Sequence, residues 1–365
     1  MQSIHMMNSK VRRVLLESAT FIGGRMGLLD IYSSLRRAVA GPQVAILVYH
    51  RVSPKTYPWY LDALSPEDFE REIAYLHKVA EIMSLDLLVD RLVRGEFLSP
   101  RNVAITFDDG YKDNYRFAYP ILQKYNVPVT IFLTTGFIGG SSMIWADKVC
   151  YAIWNTSMKE FEIDGLGRYS LRSDAEKIFS MREVVCFLNK VTEEQKNSLI
   201  GVLLKTLGVD IPASLGGELA LSWDEIREMS RDRISFGAHT VSHPILTRLP
   251  FEEAKSEITR SKRDIEQNLD HSVTSFAYPN GEFGDFNAEI IEFLKESGFT
   301  FAVTGIPRFL TSSSDLYSLD RIPPGWSYYT FKASLSGIYP DVLTLLSWLR
   351  RSGTQRGDEL RLRSN

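Results

Sequence analysis

The chain has 365 residues, of which 44% are hydrophobic and 24% are charged, and its formal net charge is −3 at pH 7. This composition excludes a disordered or fibrous protein, and the balance of 42 basic against 45 acidic residues gives no sign of a nucleic-acid-binding surface. Two cysteines cannot build a disulfide framework, so a reducing compartment suits the chain.

Residues 1–41 are predicted to form an N-terminal helical segment. Between residues 11 and 40 arginines alternate with apolar residues, as in a helix that docks on the protein or lies on an anionic membrane surface. Glu17 interrupts the early apolar run, so the pattern of a secretory signal is incomplete. We therefore expect a cytoplasmic protein, with peripheral membrane association through this helix as a further expectation.

From residue 44 onward, apolar runs typical of buried parallel strands alternate with amphipathic helices. The predicted strands are 44–48, 103–107, 129–133, 234–238, 275–278 and 301–303. The predicted helices that follow them include 114–125, 251–268 and 287–297. This alternation predicts an α/β domain over residues 42–340, built as a parallel barrel or an open sheet.

Two regions depart from that alternation. Residues 147–217 have longer helical patterns and no buried parallel strand, and we interpret them as a helical insertion. The insertion could act as a lid or substrate platform, or it could be a stabilising appendage. Residues 341–365 form a polar C-terminal tail.

Polar side chains follow two of the predicted strands. Asp108 and Asp109 come directly after the strand 103–107, and His239 and His243 follow a later one. The carboxyl ends of parallel strands meet at one face, where such folds place their chemistry. One carboxylate and two imidazoles supply the three ligands of a catalytic divalent metal, and the second carboxylate is left to accept a proton.

The pattern thus favours metal-assisted hydrolysis, although each cluster has a plainer interpretation. An Asp-Asp-Gly sequence also suits a solvated turn. The spacing of the two histidines by four residues is typical of one helical face, and it is a weak signal when taken alone.

The two clusters together resemble a known family. Thr106-Phe107-Asp108-Asp109-Gly110 and the later His239-Thr240-Val241-Ser242-His243-Pro244 are similar to the first two motifs of the polysaccharide deacetylase family, the NodB-homology domain of carbohydrate esterase family 4. The resemblance covers about residues 43–335. It implies a distorted (β/α) barrel that removes N-acetyl groups, less often O-acetyl groups, from sugars with a divalent metal, zinc first and cobalt or manganese as alternatives.

The resemblance also implies roles for single residues. Asp109, His239 and His243 match the metal ligands of the family, and Asp108 matches its catalytic base. The third motif corresponds to residues 276–281, where the backbone N–H of Asn280 would face the oxyanion of the reaction.

The chain departs from the family pattern at two points. Ala277 stands where the family has an arginine that orients the base, and Arg321 is either its replacement or an arginine in a structural salt bridge. No histidine follows His271, so the late histidine that serves as general acid is missing. Tyr49-His50 resembles an early motif of exopolysaccharide-type members, which makes His50 the candidate acid, while a histidine satisfied in the core is the alternative.

We therefore predict a metal-dependent deacetylase whose partner is an N-acetylated sugar in a polysaccharide, oligosaccharide or glycolipid. Two other functions stay open. One is a carbohydrate-binding relative without turnover, and the other is a metal hydrolase of a different amide or ester. The sequence makes no prediction about the oligomeric state.

Overall fold

The computed structural model describes residues 28–40, 44–54, 58–61, 63–96, 98–140, 142–325, 327–338 and 341. The first part of the predicted N-terminal helix and residues 342–365 of the predicted tail lie outside these described residues.

Eleven strands occur among the described residues, most of them buried along their whole length. In chain order they are β1 (Ala45–Tyr49), β2 (Arg51–Val52), β3 (Ala63–Leu64), β4 (Glu81–Ile82), β5 (Asn102–Phe107), β6 (Val129–Leu133), β7 (Glu160–Ile163), β8 (Gly167–Ser170), β9 (Ile234–Ala238), β10 (Ser275–Ala277) and β11 (Phe301–Val303).

The helices lie between these strands and at the ends of the described chain. In chain order they are α1 (Leu28–Ala40), α2 (Pro66–Val79), α3 (Leu85–Val93), α4 (Tyr119–Tyr125), α5 (Trp145–Asn155), α6 (Asp174–Leu188), α7 (Glu193–Leu207), α8 (Leu215–Leu219), α9 (Trp223–Met229), α10 (Phe251–Leu269), α11 (Ala288–Glu296) and α12 (Tyr328–Ser336). A π-helical turn, Asn114–Ala118, leads directly into α4.

The main sheet is parallel and curls into a distorted (β/α) barrel. Its strand order is β1-β5-β6-β9-β10-β11, and β4 also pairs with β5. The irregular segment 316–322 joins the two edges: Leu319 N donates to Ala302 O at 2.9 Å, and Ile322 N donates to Ile46 O at 2.7 Å. The predicted α/β barrel architecture is therefore confirmed.

The strands are apolar because helices and loops cover both faces of the sheet. All five residues of β1 and of β6, and all six of β5, are buried. Helices begin where the sequence offers a cap; for example, Ser65 accepts a hydrogen bond from Asp68 N and is followed by proline at the first helical position of α2.

The insertion has an apolar core of its own. It comprises α5, α6, α7 and α8 together with an antiparallel hairpin of β7 and β8, which the sequence patterns had not indicated. Where the chain passes from the insertion back to the barrel, Leu221 N donates a hydrogen bond to Gly110 O at 3.0 Å. A Cβ atom at Gly216 would lie 2.5 Å from Gly140 O, so only glycine fits this approach. The insertion therefore ends beside the turn that contains Asp109.

Among the described residues, no helix combines the length and the apolar character that crossing a membrane requires.

Candidate metal and catalytic site

Asp109, His239 and His243 converge at the carboxyl ends of β5 and β9. Asp109 Oδ1 lies 3.7 Å from His239 Nε2 and 3.4 Å from His243 Nε2. Two ligands that are each about 2.1 Å from one zinc ion can be at most ~4.2 Å apart, so both distances fit a shared cation. The structure thus brings together the three predicted metal ligands.

Two of the atoms that would bind a metal also lack hydrogen-bond partners. Asp109 Oδ1 and His239 Nε2 are buried and make no hydrogen bond within the described residues. His239 Nδ1 lies 2.7 Å from Ala277 O, a contact that places the proton on Nδ1 and leaves Nε2 free as a ligand. Because orphaned buried polar atoms are costly, this arrangement fits a divalent cation.

The two histidines lie on a loop, and the prediction that they share a helical face is wrong. β9 ends at Ala238, and both Thr240 and His243 adopt left-handed backbone conformations, with φ of 64° and 61°. Thr240 Oγ1 accepts a hydrogen bond from His243 N at 3.1 Å, which closes the loop. The rings meet edge to face with centroids 4.8 Å apart.

Asp108 is held by Arg321, which comes from the segment that closes the barrel. The guanidinium donates to both carboxylate oxygens at 2.7 Å, and it also donates to Thr304 O at 2.7 Å and to Thr106 Oγ1 at 3.2 Å. Asp108 and Arg321 are both buried. Both interpretations of Arg321 that the sequence left open include such an ion pair, and its contact with both oxygens is the one that an arginine orienting Asp108 would make.

The environments of the two aspartates push their pKa values apart. Burial alone would raise the pKa of Asp108, but the charge of Arg321, helped by His239, outweighs burial and holds this pKa well below its usual range. Burial and the neighbouring charge of Asp108 raise the pKa of Asp109 instead. Asp108 is therefore ionised at neutral pH, whereas a cation bound beside Asp109 would lower the pKa of Asp109 and favour its carboxylate form.

Burial determines the protonation state of the two imidazoles. It lowers the pKa of His239 to about 4 against the opposing charge of Asp108. Burial, followed by the charge of His239, also lowers the pKa of His243. Both rings are thus neutral at neutral pH, which is the form that ligates a metal.

His50 lies at the open side of the same site. Its Nε2 is 3.9 Å from Asp108 Oδ2, and its side chain is 47% exposed. The alternative of a histidine satisfied in the core is therefore wrong. Asn114 Nδ2 donates to the backbone carbonyl of His50 at 2.9 Å, which fixes the residue at the end of β1.

Buried charges behind His50 support the same loop. Arg51 Nε donates to Asp113 Oδ2 at 2.8 Å, and Val52 N donates to Asp113 Oδ1 at 3.2 Å. The guanidinium of Arg51 also lies 3.7 Å from Asp147 Oδ1 on α5, so the insertion contacts this cluster. No sequence motif pointed to this cluster, and its only signal in the sequence was the position of Arg51 next to His50 and of Asp113 shortly after Asp109.

Asn280 lies on the loop after β10, three residues beyond the carbonyl that contacts His239. Its φ is 59°, and its side chain interacts with Asp285, which also accepts a hydrogen bond from Glu282 N at 2.9 Å. Asn189, from the turn between α6 and α7, donates to Asn280 Oδ1 at 3.4 Å. The insertion thus reaches the third motif as well as the cluster around Arg51.

The chain is similar in sequence to known polysaccharide deacetylases. The sequence profile described as polysaccharide deacetylase matches residues 97–302, more than half of the chain. The Bacillus subtilis (strain 168) protein YxkH is 22% identical over 307 residues, which are 81% of this chain and 77% of YxkH. A poly-beta-1,6-N-acetyl-D-glucosamine N-deacetylase from Staphylococcus aureus is 33% identical over 105 residues, 27% of this chain and 36% of that protein.

Solved structures have the same fold. The Streptococcus pyogenes deacetylase PplD, solved in complex with acetate, superposes with a TM-score of 0.55 at 19% identity, covering 80% of this chain and 98% of that one. IcaB from Ammonifex degensii superposes with a TM-score of 0.53 at 20% identity, covering 81% of this chain and 97% of that one.

The Asp108–Arg321 pair leads to a stability prediction. Arg321→Met removes the positive partner of a buried carboxylate, so we expect a loss of ~3 to 5 kcal/mol in the free energy of unfolding at pH 7. Because the pKa of Asp108 is lowered in the folded protein, the pair stabilises the folded state at pH values above the unfolded pKa of about 3.9. This stabilisation is lost as the pH falls from there through the folded pKa. The deficit of the variant should therefore shrink on acidification, because its Asp108 can take up a proton. Urea unfolding at pH 7 and at pH 3, which lies below the unfolded pKa, measures both effects.

Arg260→Met on the exposed face of α10 is the matched control, with an expected change within about 0.5 kcal/mol. Equal stability of the Arg321 and Arg260 variants would contradict the importance of the pair.

Proposed function

The chain belongs to the polysaccharide deacetylase family, and we propose that it hydrolyses N-acetyl groups on an amino sugar of a polysaccharide, oligosaccharide or glycolipid. The observation that carries this proposal is the convergence of Asp108, Asp109, His50, His239 and His243 at one end of the barrel. A purely carbohydrate-binding relative would have no need for a buried, ionised carboxylate beside a metal-ligand group.

Asp109, His239 and His243 would hold a divalent cation, which we propose to be zinc, with cobalt or manganese as alternatives. When bound, such an ion supplies Lewis-acid polarisation of the acetyl carbonyl and lowers the pKa of water towards neutrality. The neutral imidazoles and the free Oδ1 of Asp109 are ready for this role without rearrangement of their own hydrogen bonds.

In the proposed reaction, Asp108 accepts a proton from the attacking water. The water oxygen bonds to the acetyl carbon, the C–N bond then breaks, and acetate and a free amine leave. Arg321 fixes both oxygens of Asp108, so the carboxylate does not have to reorient. Its ionised state at neutral pH leaves it able to accept the proton.

His50 is assigned the protonation of the leaving nitrogen. Its exposed ring can reach a substrate that enters from solvent, while its backbone is held by Asn114. The N–H of Asn280 is assigned to the developing oxyanion, and a donor of this kind is worth roughly 3 kcal/mol in the transition state. Asn280 adopts a left-handed backbone conformation, which asparagine tolerates better than most residues other than glycine.

We also propose that the protein works at the cytoplasmic membrane surface. One side of α1 packs against α12 and ties Arg36 to Asp341 through two hydrogen bonds, of 2.7 and 2.9 Å. The other side carries Leu28, Ile31 and Leu35, spaced three and four residues apart and 49% to 63% exposed. Such an apolar stripe suits shallow insertion between lipid headgroups.

The proton-acceptor role predicts separate effects on chemistry and on metal binding. Asp108→Asn should lower the rate of acetate release by ~10²- to 10⁴-fold and leave about one zinc per chain. His239→Ala should lose the zinc. Elemental analysis measures the zinc content. Acetate release from N-acetylated oligosaccharides, including β-1,6-linked N-acetylglucosamine, measures the rate. Acetate release by Asp108→Asn at the wild-type rate would contradict the assignment.

The acid role predicts a similar loss for His50. His50→Ala should reduce the turnover number by ~10²- to 10⁴-fold without changing the zinc content. His271→Ala is the matched control, since His271 is exposed and lies outside the site, and it should retain full activity. Near wild-type acetate release by His50→Ala would overturn the assignment of this residue.

The membrane proposal predicts a loss of vesicle binding when the stripe on α1 is charged. Ile31→Glu combined with Leu35→Glu should weaken co-sedimentation with phosphatidylglycerol vesicles at least tenfold, because each buried aliphatic side chain contributes about 1.5 to 3 kcal/mol. Val202→Glu, at an exposed apolar position of α7, should bind as wild type does. Unchanged binding of the double variant would refute membrane docking through α1.

A further inference from the structure

The loop between the two metal-ligand histidines is under conformational constraint. Thr240 and His243 are both left-handed although neither is glycine, and each such residue costs of order 1 kcal/mol or more. The angle between the two imidazoles depends on these backbone torsions, since both rings are carried by the same five-residue loop. Contacts outside the loop must therefore stabilise it.

Glu257 on α10 supplies such contacts from one side. Its Oε2 accepts hydrogen bonds from Val241 N and Ser242 N, both at 2.8 Å, and its Oε1 accepts from Ser242 Oγ at 2.9 Å. One carboxylate thus binds three donors of the two residues at the centre of the loop. Two successive backbone N–H groups form a concave site that favours an anion.

The negative charge of Glu257 is not shared with a basic side chain among the described residues. Among the residues that the structure describes, no lysine or arginine forms an ion pair with Glu257, and its side chain is partly buried. Hydrogen bonds to an ionised acceptor are roughly twice as strong as neutral ones. The carboxylate can therefore offset the strain of the left-handed residues.

The opposite side of the loop rests on the segment after β6. Thr135 N donates to Thr240 O at 3.1 Å, and Gly136 N donates to Val241 O at 2.8 Å. A Cβ atom at Gly136 would lie 2.6 Å from Val241 O, so the contact is as close as the backbone allows. The loop is thus fixed between the barrel and Glu257.

We propose that Glu257 is a positioning residue of the metal site: it holds the loop 239–243 so that the two imidazoles face one cation. Glu257 acts through its hydrogen bonds to Val241 and Ser242 and is not itself one of the three proposed metal ligands. This inference rests on the proposed metal-dependent function, because it concerns the affinity of the same ligand set.

The test is zinc affinity of the full chain, measured by competition with a chromogenic chelator. Glu257→Ala should bind zinc ~10- to 100-fold more weakly than wild type, the usual effect of removing a group that orients metal ligands. Glu257→Gln keeps one acceptor oxygen and loses the charge, so a smaller loss of several-fold is expected. Glu253→Ala, at an exposed position one turn earlier on α10, is the matched control and should bind as wild type does.

Thermal unfolding of the zinc-free variants separates positioning from a general structural role. If the Glu257 variants melt at a lower temperature but bind zinc with unchanged affinity, the inference is overturned. If Glu257→Ala fails to fold, unchanged zinc affinity of Glu257→Gln overturns it as well. If wild type binds zinc and the Glu257 variants bind it equally well, only this inference fails. If wild type binds no divalent metal, the proposed function fails together with it.

Discussion

The buried pair of Arg321 and Asp108 links the closure of the barrel to the chemistry of the site. Arg321 comes from the irregular segment that joins the first and last strands of the sheet, and its guanidinium donates to Thr106, Thr304 and both oxygens of Asp108. A buried guanidinium is tolerated only when its donors are paired. The segment can therefore close the barrel only in the register that also orients Asp108.

The pair of Arg321 and Asp108 provides no ion-pair partner for the neighbouring carboxylate of Asp109. Arg321 neutralises Asp108, while Asp109 is buried next to that charge and has a raised pKa. The two imidazoles beside it are neutral, because burial lowers their pKa values. A divalent cation held by Asp109, His239 and His243 would supply positive charge beside that carboxylate and lower its pKa.

Much of this arrangement could be predicted from local patterns. The strands at 129–133, 234–238 and 301–303 have the predicted boundaries, since strands buried on both faces are continuous apolar runs. The hairpin of β7 and β8 was missed because its exposed strand, Gly167–Ser170, has no such run. The spacing of His239 and His243 suggested a helix because periodicity cannot report the left-handed torsions at Thr240 and His243. Contacts such as those of Glu257 join distant parts of the chain, and no local pattern encodes them.

The low pKa of Asp108 bears on how a proton could be handled in the proposed reaction. A carboxylate held by two hydrogen bonds from arginine is a weak base, so it can accept a proton only from water that is already acidified. Such a base also retains the proton briefly. His50 Nε2 lies 3.9 Å from Asp108 Oδ2, at the open side of the site. In the proposed reaction, the proton taken by Asp108 would then pass to the leaving nitrogen through His50, which couples the two halves of the reaction.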